Sequence, residues 1–352
     1  MAKQGISFAS LRSMLVGRAN SSGWTLCIGA GTSYPMFPSW NELVQKLAER
    51  DIPEDVARDI LPKLREGFGL DALLQASRDR LKMSTEEFAQ VISTEFYAEM
   101  KHRIGTKGWR ILNRGLAAFH PGDMTPAMWK GFDGIMTSNF PQVSALEIAS
   151  AVVESSTAGL APAAILSFNA EPLLYALINA RTSRTSPKNT KAPLDRITRS
   201  VSNRSADRIP YVFCHGLLPI DGHTSSGWHS LDKLVFSESE YLQVANSGFS
   251  WQSSIFIDSC MSRSVVFVGL SFSDPNLRRW LGILHQNRLR ELETIGRGSH
   301  DSAPHYWIRK TLPTIAEKSW TEAAVAHLGV RLIWLDEWNQ VGLALRKMLG
   351  LS

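Results

Sequence analysis

Short apolar runs bounded by turn residues recur along the chain, and they set its architecture. Trp24–Ile28, Ala164–Phe168, Pro210–Cys214, Ser264–Val268, His305–Ile308 and Val330–Leu335 are rich in β-branched and aromatic residues and read as buried strands. Helical patterns lie between them. That alternation predicts an α/β fold, a Rossmann-like open, mostly parallel sheet flanked by helices. From Trp40 to about Phe119 the alternation stops. WNELVQKLAERD, PEDVARDILPKLREGF, DALLQASRDRLK and STEEFAQVISTEFYAEM follow one another with apolar residues three and four apart. Ser84-Thr85-Glu86-Glu87 is a capping box ahead of the last of these. Residues 41–120 therefore predict a helical insertion subdomain within one domain spanning 1–352. Phe8–Leu15 reads as a first amphipathic helix and Trp338–Leu349 as a closing one.

Composition narrows the class. Hydrophobic residues make up 44% of the 352 and charged residues 20%, the balance of a globular protein with a substantial core. No stretch supplies the roughly 20 apolar residues of a membrane span. The N-terminus lacks the unbroken apolar segment of a signal peptide, so a cytoplasmic location is expected. Cys27, Cys214 and Cys260 lie far apart, an odd count that speaks against a disulfide framework and a structural zinc. No His has a ligand-spaced partner, and no metal site is expected.

The net charge of +5 is local. Between Arg181 and Arg208 stand eight basic and two acidic residues, which leaves the rest of the chain near neutral. That span is rich in Ser, Thr, Pro and Asn and predicts a basic exposed loop over 181–208. Direct nucleic-acid or partner contact by this loop stays open, although no aromatic residue is interleaved with its charges.

Four predicted strands end in residues that can carry chemistry. Gly29-Ala30-Gly31-Thr32-Ser33 follows the first, where glycines let the backbone approach a phosphate and the hydroxyls add donors. It has neither the G-x-G-x-x-G spacing nor a P-loop Lys, so neither a standard dehydrogenase nor an NTPase follows. Asn169 and Glu171 follow the second strand, and in an open α/β sheet they face the same crevice as the glycine turn. His215, before Gly216, is a candidate acid/base, although a lone His is more often structural. Gly269-Leu270-Ser271 leads to Asp274 at a helix start, where an Asp cap is favoured anyway.

Taken in order, these turns resemble the sirtuin-like NAD-binding family, specifically its bacterial antiphage-defence branch, from about Leu15 to about Leu335. Pro38-Ser39-Trp40-Asn41-Glu42-Leu43 is similar to the family's Pro-x-Trp-x-x-Leu. Asn169-Ala170-Glu171 occupies the place of Asn-x-Asp, with Glu for the usual Asp. His215-Gly216 looks like the catalytic histidine, Ser237 to Tyr241 is similar to the Thr/Ser-Glu-x-x-Tyr segment, and Gly269–Ser271 with Asp274-Pro275 resembles the adenosine-side turn. Ile135-Met-Thr-Ser-Asn139-Phe140 also looks like the Asn turn, but Pro141 stands where the acid belongs; Asn169 is favoured by its longer strand, its acid and the helix after it.

The resemblance implies NAD+ as substrate and Asn169 and His215 as catalytic residues. It implies Gly29, Ala30, Gly31, Thr32, Ser33, Trp40, Glu171, Gly269, Ser271 and Asp274 as the NAD+-binding ones. Protein-deacylating sirtuins carry a four-cysteine zinc module that three cysteines cannot build. The implied reaction is therefore metal-free hydrolysis of NAD+ to ADP-ribose and nicotinamide. The family branch further implies NAD+ depletion in antiphage defence, a homo-oligomer, and latency relieved by a phage trigger, a partner ATPase of the HerA type or another defence-system sensor. A nucleotide-sensing module and an ADP-ribosyltransferase are the other classes that the same residues admit.

Overall fold

The structure, a computed structural model, describes residues 5–185, 193–202, 204–218, 220, 234–246, 250–296 and 304–351. Its centre is a sheet of eight strands: β1 (Ile6–Ser7), β2 (Trp24–Ile28), β3 (Ala164–Ser167), β4 (Leu194–Ile197), β5 (Ile209–Phe213), β6 (Ser264–Val268), β7 (His305–Lys310) and β8 (Val330–Leu335). Their order is β1-β8-β7-β6-β2-β3-β5-β4, and every pairing is parallel. The six inner strands run in doubly wound Rossmann order, with one added edge on each side. The strand order reverses at β2, which has β3 on one flank and β6 on the other.

Helices on both faces explain the strand composition. Every residue of β2, β3 and β6 is buried. A strand covered on both faces reads as a continuous apolar run rather than an alternating one. The period of two survives in which core each residue joins. Leu26, Ile28, Val266 and Val268 face one core, and Cys27, Val265 and Phe267 face the other.

The helical interval is longer than the sequence pattern suggests. Helices Trp40–Ala48, Glu54–Leu64, Leu70–Arg80 and Thr85–Ala117 come first, the last broken at Gly105, where φ is +66°. Pro126–Asn139 and Ser144–Thr157 then precede β3. The first and fourth of these helices start at capping boxes, Ser39 with Glu42 and Ser84 with Glu87. Leu43, Leu47, Leu61, Leu74, Phe88 and Ile92 form a third core, which also takes in Ala170, Leu218 and Phe236 from beyond the carboxyl ends of β3 and β5. The insertion is thus packed over the edge of the sheet where the candidate residues lie.

Two segments differ from expectation. Phe8–Leu15 is not a helix: Ile6 and Ser7 pair with Ile333 and Trp334, a 3-10 turn follows at Phe8–Ser10, and Leu11 and Leu15 are buried. The available edge of β8 decides the state of that short stretch. The span 181–208 is not loop throughout. Arg181 and Arg184 lie in the helix Leu173–Thr185 and pair with Asp133, and Leu194–Ile197 forms β4 on the edge of β5. Arg196 lays its guanidinium 3.5 Å from the centre of the Phe119 ring, and Arg208 pairs with Asp195 at 3.4 Å. Residues 186–192 and 203 of the span lie outside the described ones.

Candidate functional site

The four turns singled out in the sequence all leave the carboxyl edge of the sheet, around the point where the strand order reverses. The two glycine turns clasp each other there. Gly29 N–H donates to Val268 O at 3.0 Å and Gly31 N–H to Gly269 O at 2.9 Å, while Thr32 and Ser33 donate back to Gly29 and Ala30. A Cβ on Gly31 would sit 3.0 Å from the Gly269 Cα, and one on Gly269 would sit 2.5 Å from the Thr32 nitrogen. Close backbone approach, added to φ +70° at Gly269, is what requires glycine. Four of the five amides in Gly29–Ser33 therefore donate within the protein, and among these described residues the Ala30 amide is the one without such an acceptor. A cradle of successive free amides, as the glycine pattern suggested, is not what this turn presents.

Its hydroxyls are committed as well. Thr32 Oγ1 donates to Gly29 O at 2.8 Å, and Ser33 Oγ donates to Glu171 Oε1 in a short bond. Asn169 Nδ2 reaches Glu171 Oε1 at 2.9 Å and lies 3.3 Å from both Thr32 Oγ1 and Ser33 Oγ. Leu173 N–H donates to Glu171 Oε2. Glu171, two residues before the helix Leu173–Thr185, thus places its carboxylate where the first helical amide needs an acceptor. Ser33, Asn169 and Glu171 are all at most 5% exposed, and burial raises the Glu171 carboxyl to about 7 against three hydrogen bonds that lower it. Asn169 Oδ1 is buried without a hydrogen-bond partner.

This polar cluster forms one side of a cavity of about 340 Å³. Ala30, Gly31, Ser33, Asn169 and Glu171 line it with Tyr34, Phe37, Trp40, Phe96, Phe168 and Phe236. Phe37 and Phe96 stack at 4.6 Å, and Trp40 meets Phe236 at 5.2 Å. Trp40 and Phe96 come from helices between β2 and β3, which supply a wall of the site. The volume and apolar lining suit a small aromatic ligand or half of a dinucleotide, and the unpaired Asn169 oxygen supplies an acceptor for it. Tyr34, Phe37, Phe96, Phe168 and Phe236 were not singled out in the sequence. The aromatic density of Tyr34-Pro-Met-Phe37-Pro-Ser-Trp40 beside the glycine turn is a signal for the first two. Nothing local marks Phe96 or Phe236.

His215 sits apart from this cavity. Its ring packs edge-on against Phe168 at 5.1 Å and Tyr241 at 5.4 Å, in a second space of about 20 Å³ that Gln252, Asp274 and Asn276 also line. That volume is room enough for one water. Burial lowers His215 to about 4, a hydrogen bond with the Phe168 backbone opposing the shift, so the imidazole is neutral at pH 7. Phe168 lines both spaces.

Asp274 caps the helix Pro275–Thr294, accepting from Asn276 N–H at 2.8 Å, and burial raises its carboxyl. Ser271 is exposed and shares a hydroxyl contact with Ser273. Gly29, Thr32 and Gly269 shape the turn from behind rather than lining either space. Asn139 ends the helix Pro126–Asn139 and donates to Ile135 O at 3.0 Å. It follows a helix, not a strand. Among the described residues no three His, Cys, Asp or Glu converge as a metal site would require, and no helix is long and apolar enough to cross a membrane.

Residues 175–332 match the family model of the SIR2-like domain. The match holds His215, the segment Ser237 to Tyr241 and the turn from Gly269 to Asp274; the glycine turn and Asn169 lie ahead of it. No curated protein matches the chain.

Proposed function

We propose, from the match of residues 175–332 to a SIR2-like domain, which points to NAD-related enzymatic chemistry, that the protein hydrolyses NAD+ to ADP-ribose and nicotinamide. The observation that carries the proposal is the buried Ser33–Asn169–Glu171 cluster opening on an aromatic cavity at the reversal point of the sheet. The bond from nicotinamide nitrogen to ribose C1′ breaks, water oxygen bonds to C1′, and the water gives up one proton. Nicotinamide leaves neutral, taking the bond electrons that discharge its ring, so no acid is needed at the leaving group.

The demands on the protein are orientation, a placed nucleophile and electrostatic support for a cationic ribose carbon. The aromatic wall takes the planar nicotinamide ring. Asn169 Oδ1 accepts from the water or a ribose hydroxyl. Neutral His215 is poised to take the proton once Phe168 lets the two spaces join. Ala30 and the turn at Gly269–Asp274 face the remainder of the dinucleotide. The resemblance supplies the wider setting of this proposal: NAD+ depletion in antiphage defence by an oligomer held latent until a trigger or partner acts.

Nicotinamide release from NAD+ by the purified protein, with protein concentration varied, tests the reaction. Release abolished in an Asn169→Ala, His215→Ala double variant supports it; equal release from that variant removes the site from the chemistry. One observation favours a second reading, nucleotide sensing without cleavage: His215 does not line the large cavity. NAD+ binding that survives His215→Ala, with no release by the wild type at any concentration, selects sensing.

A further inference from the structure

Glu171 stands where a ligand-binding carboxylate is expected, yet both of its oxygens are engaged by the protein itself. Oε1 accepts from Ser33 Oγ and Asn169 Nδ2, and Oε2 accepts from Leu173 N–H. A carboxylate can only accept, so it dictates which way the Asn169 amide lies. Ser33 and Thr32 agree with that choice. Each hydroxyl donates elsewhere, to Glu171 and to Gly29 O, and so can only accept from Nδ2. Every polar atom of the cluster is paired in one consistent direction except Asn169 Oδ1, which is buried and unpaired on a residue that lines the cavity.

We infer that Glu171 is a positioning residue: acting through Asn169 and Ser33, it fixes Asn169 Oδ1 as an acceptor for the aromatic cavity, which therefore takes a hydrogen-bond donor. A hydroxyl, a water or a carboxamide N–H fits there, and a phosphate or carboxylate oxygen does not. The inference rests on the proposed hydrolysis only for the identity of the substrate. It places the ribose and nicotinamide end of a dinucleotide at Asn169 and keeps the diphosphate away from it.

Replacing Glu171 by Gln keeps the shape and inverts the polarity. Only one terminal atom of Gln accepts. If that atom keeps Leu173 N–H, the Gln amide faces Ser33 and Asn169, Ser33 turns to accept, and the Asn169 amide rotates half a turn. A donor then stands where the acceptor was. Protonation of Glu171 has the same effect. The titratable groups electrostatically coupled to it are Tyr97 on the helix Thr85–Ala117 and Tyr211 on β5. Burial holds both phenols well above their ordinary range, so neither ionises while Glu171 does.

The test uses the full chain with 15N-labelled asparagine, the Asn169 side-chain resonance being assigned with Asn169→Ala. In the wild type at pH 8 the Asn169 amide protons exchange slowly; in folded Glu171→Gln they shift and exchange at least about tenfold faster. Glu171→Asp, which keeps an accepting group, restores the slow exchange in part. In the kinetics of nicotinamide release, Glu171→Gln lowers kcat by about 100-fold with KM within about threefold, and abolishes the rise of kcat with pH expected of the wild type. Nicotinamide binds about tenfold or more tightly than its N,N-dimethyl derivative in the wild type and without preference in Glu171→Gln. Identical Asn169 resonances and exchange in the wild type and Glu171→Gln overturn the inference. If Glu171→Gln does not fold, Ser33→Ala serves: faster Asn169 exchange supports the inference and unchanged exchange overturns it. A wild type that releases no nicotinamide overturns the hydrolase reading alone, because the resonance measurement needs no turnover.

Discussion

Burial moves Glu171 and His215 in opposite directions along the pH scale, and the opposition is measurable. Glu171 is raised from 4.5 to about 7, so the fold favours its protonated form. Its contribution to stability is complete below pH 4.5 and is lost as pH rises through 7, about 3 kcal/mol in all. His215 is lowered from 6.5 to about 4, so the fold favours its neutral form. Its contribution is complete above pH 6.5 and is lost as pH falls toward 4. The two slopes offset each other in the wild type. In urea unfolding between pH 4.5 and 6.5, Glu171→Gln gains stability with rising pH and His215→Gln loses it; parallel slopes in the two variants count against the assignment. The clasped glycines give a second test at this scale. Gly269→Ala combines a left-handed φ with a contact on the Thr32 backbone and costs about 3 kcal/mol, more than Gly31→Ala, as read from the urea midpoint.

At the scale of elements, two helical glycines predict opposite signs. Gly342, in the closing helix Val341–Met348, packs on the helix Ser144–Thr157, and a Cβ there would lie 2.7 Å from the Glu147 carbonyl oxygen. Alanine offers up to about 1 kcal/mol of helix propensity, but the overlap is with backbone that cannot yield locally, and the net effect is a loss of about 1–3 kcal/mol. Gly282, in Pro275–Thr294, would bring a Cβ to 3.7 Å from Leu328, an ordinary contact. Gly282→Ala keeps the propensity gain of about 0.5–1 kcal/mol. Thermal melting of both variants checks the signs: Gly282→Ala melts above the wild type and Gly342→Ala below it.

Over the whole molecule, the three cysteines report on the sheet. Cys27 lies in β2, Cys214 directly after β5, and Cys260 in the helix Trp251–Ser262; all are buried in one core, and burial raises each thiol above its ordinary range, Cys214 to about 12. Native protein therefore resists thiol reagents, because the reactive thiolate is both scarce and shielded. All three thiols become labelled together, in step with loss of the sheet. The helical insertion has its own core, separate from that of the cysteines. If it opens first in urea, helical circular dichroism falls before thiol labelling begins; coincident transitions show that the shared residues Ala170, Leu218 and Phe236 bind the two regions into one cooperative unit.

The strand runs are legible from sequence because each carries its own signal: β2, β6 and β8 coincide with apolar, β-branched stretches closed by turn residues. The edge strands are not. β1 has two residues and β4 four, and their state is set by the strands they pair with, Ile6 with Ile333 and Leu194 with Ile209. The candidate residues at the strand ends follow the same division. That Ser33, Asn169, Glu171 and His215 leave the carboxyl edge of one sheet is written in the order of apolar runs and turns, since a parallel sheet puts every such turn on the same side. Only the tertiary structure decided that Gly269 takes the amide of Gly31, that Phe168 lines both the Asn169 cavity and the space beside His215, and that Phe96 and Phe236 line the cavity. Those contacts join residues far apart in the chain, and no local pattern records which distant surface a side chain will meet.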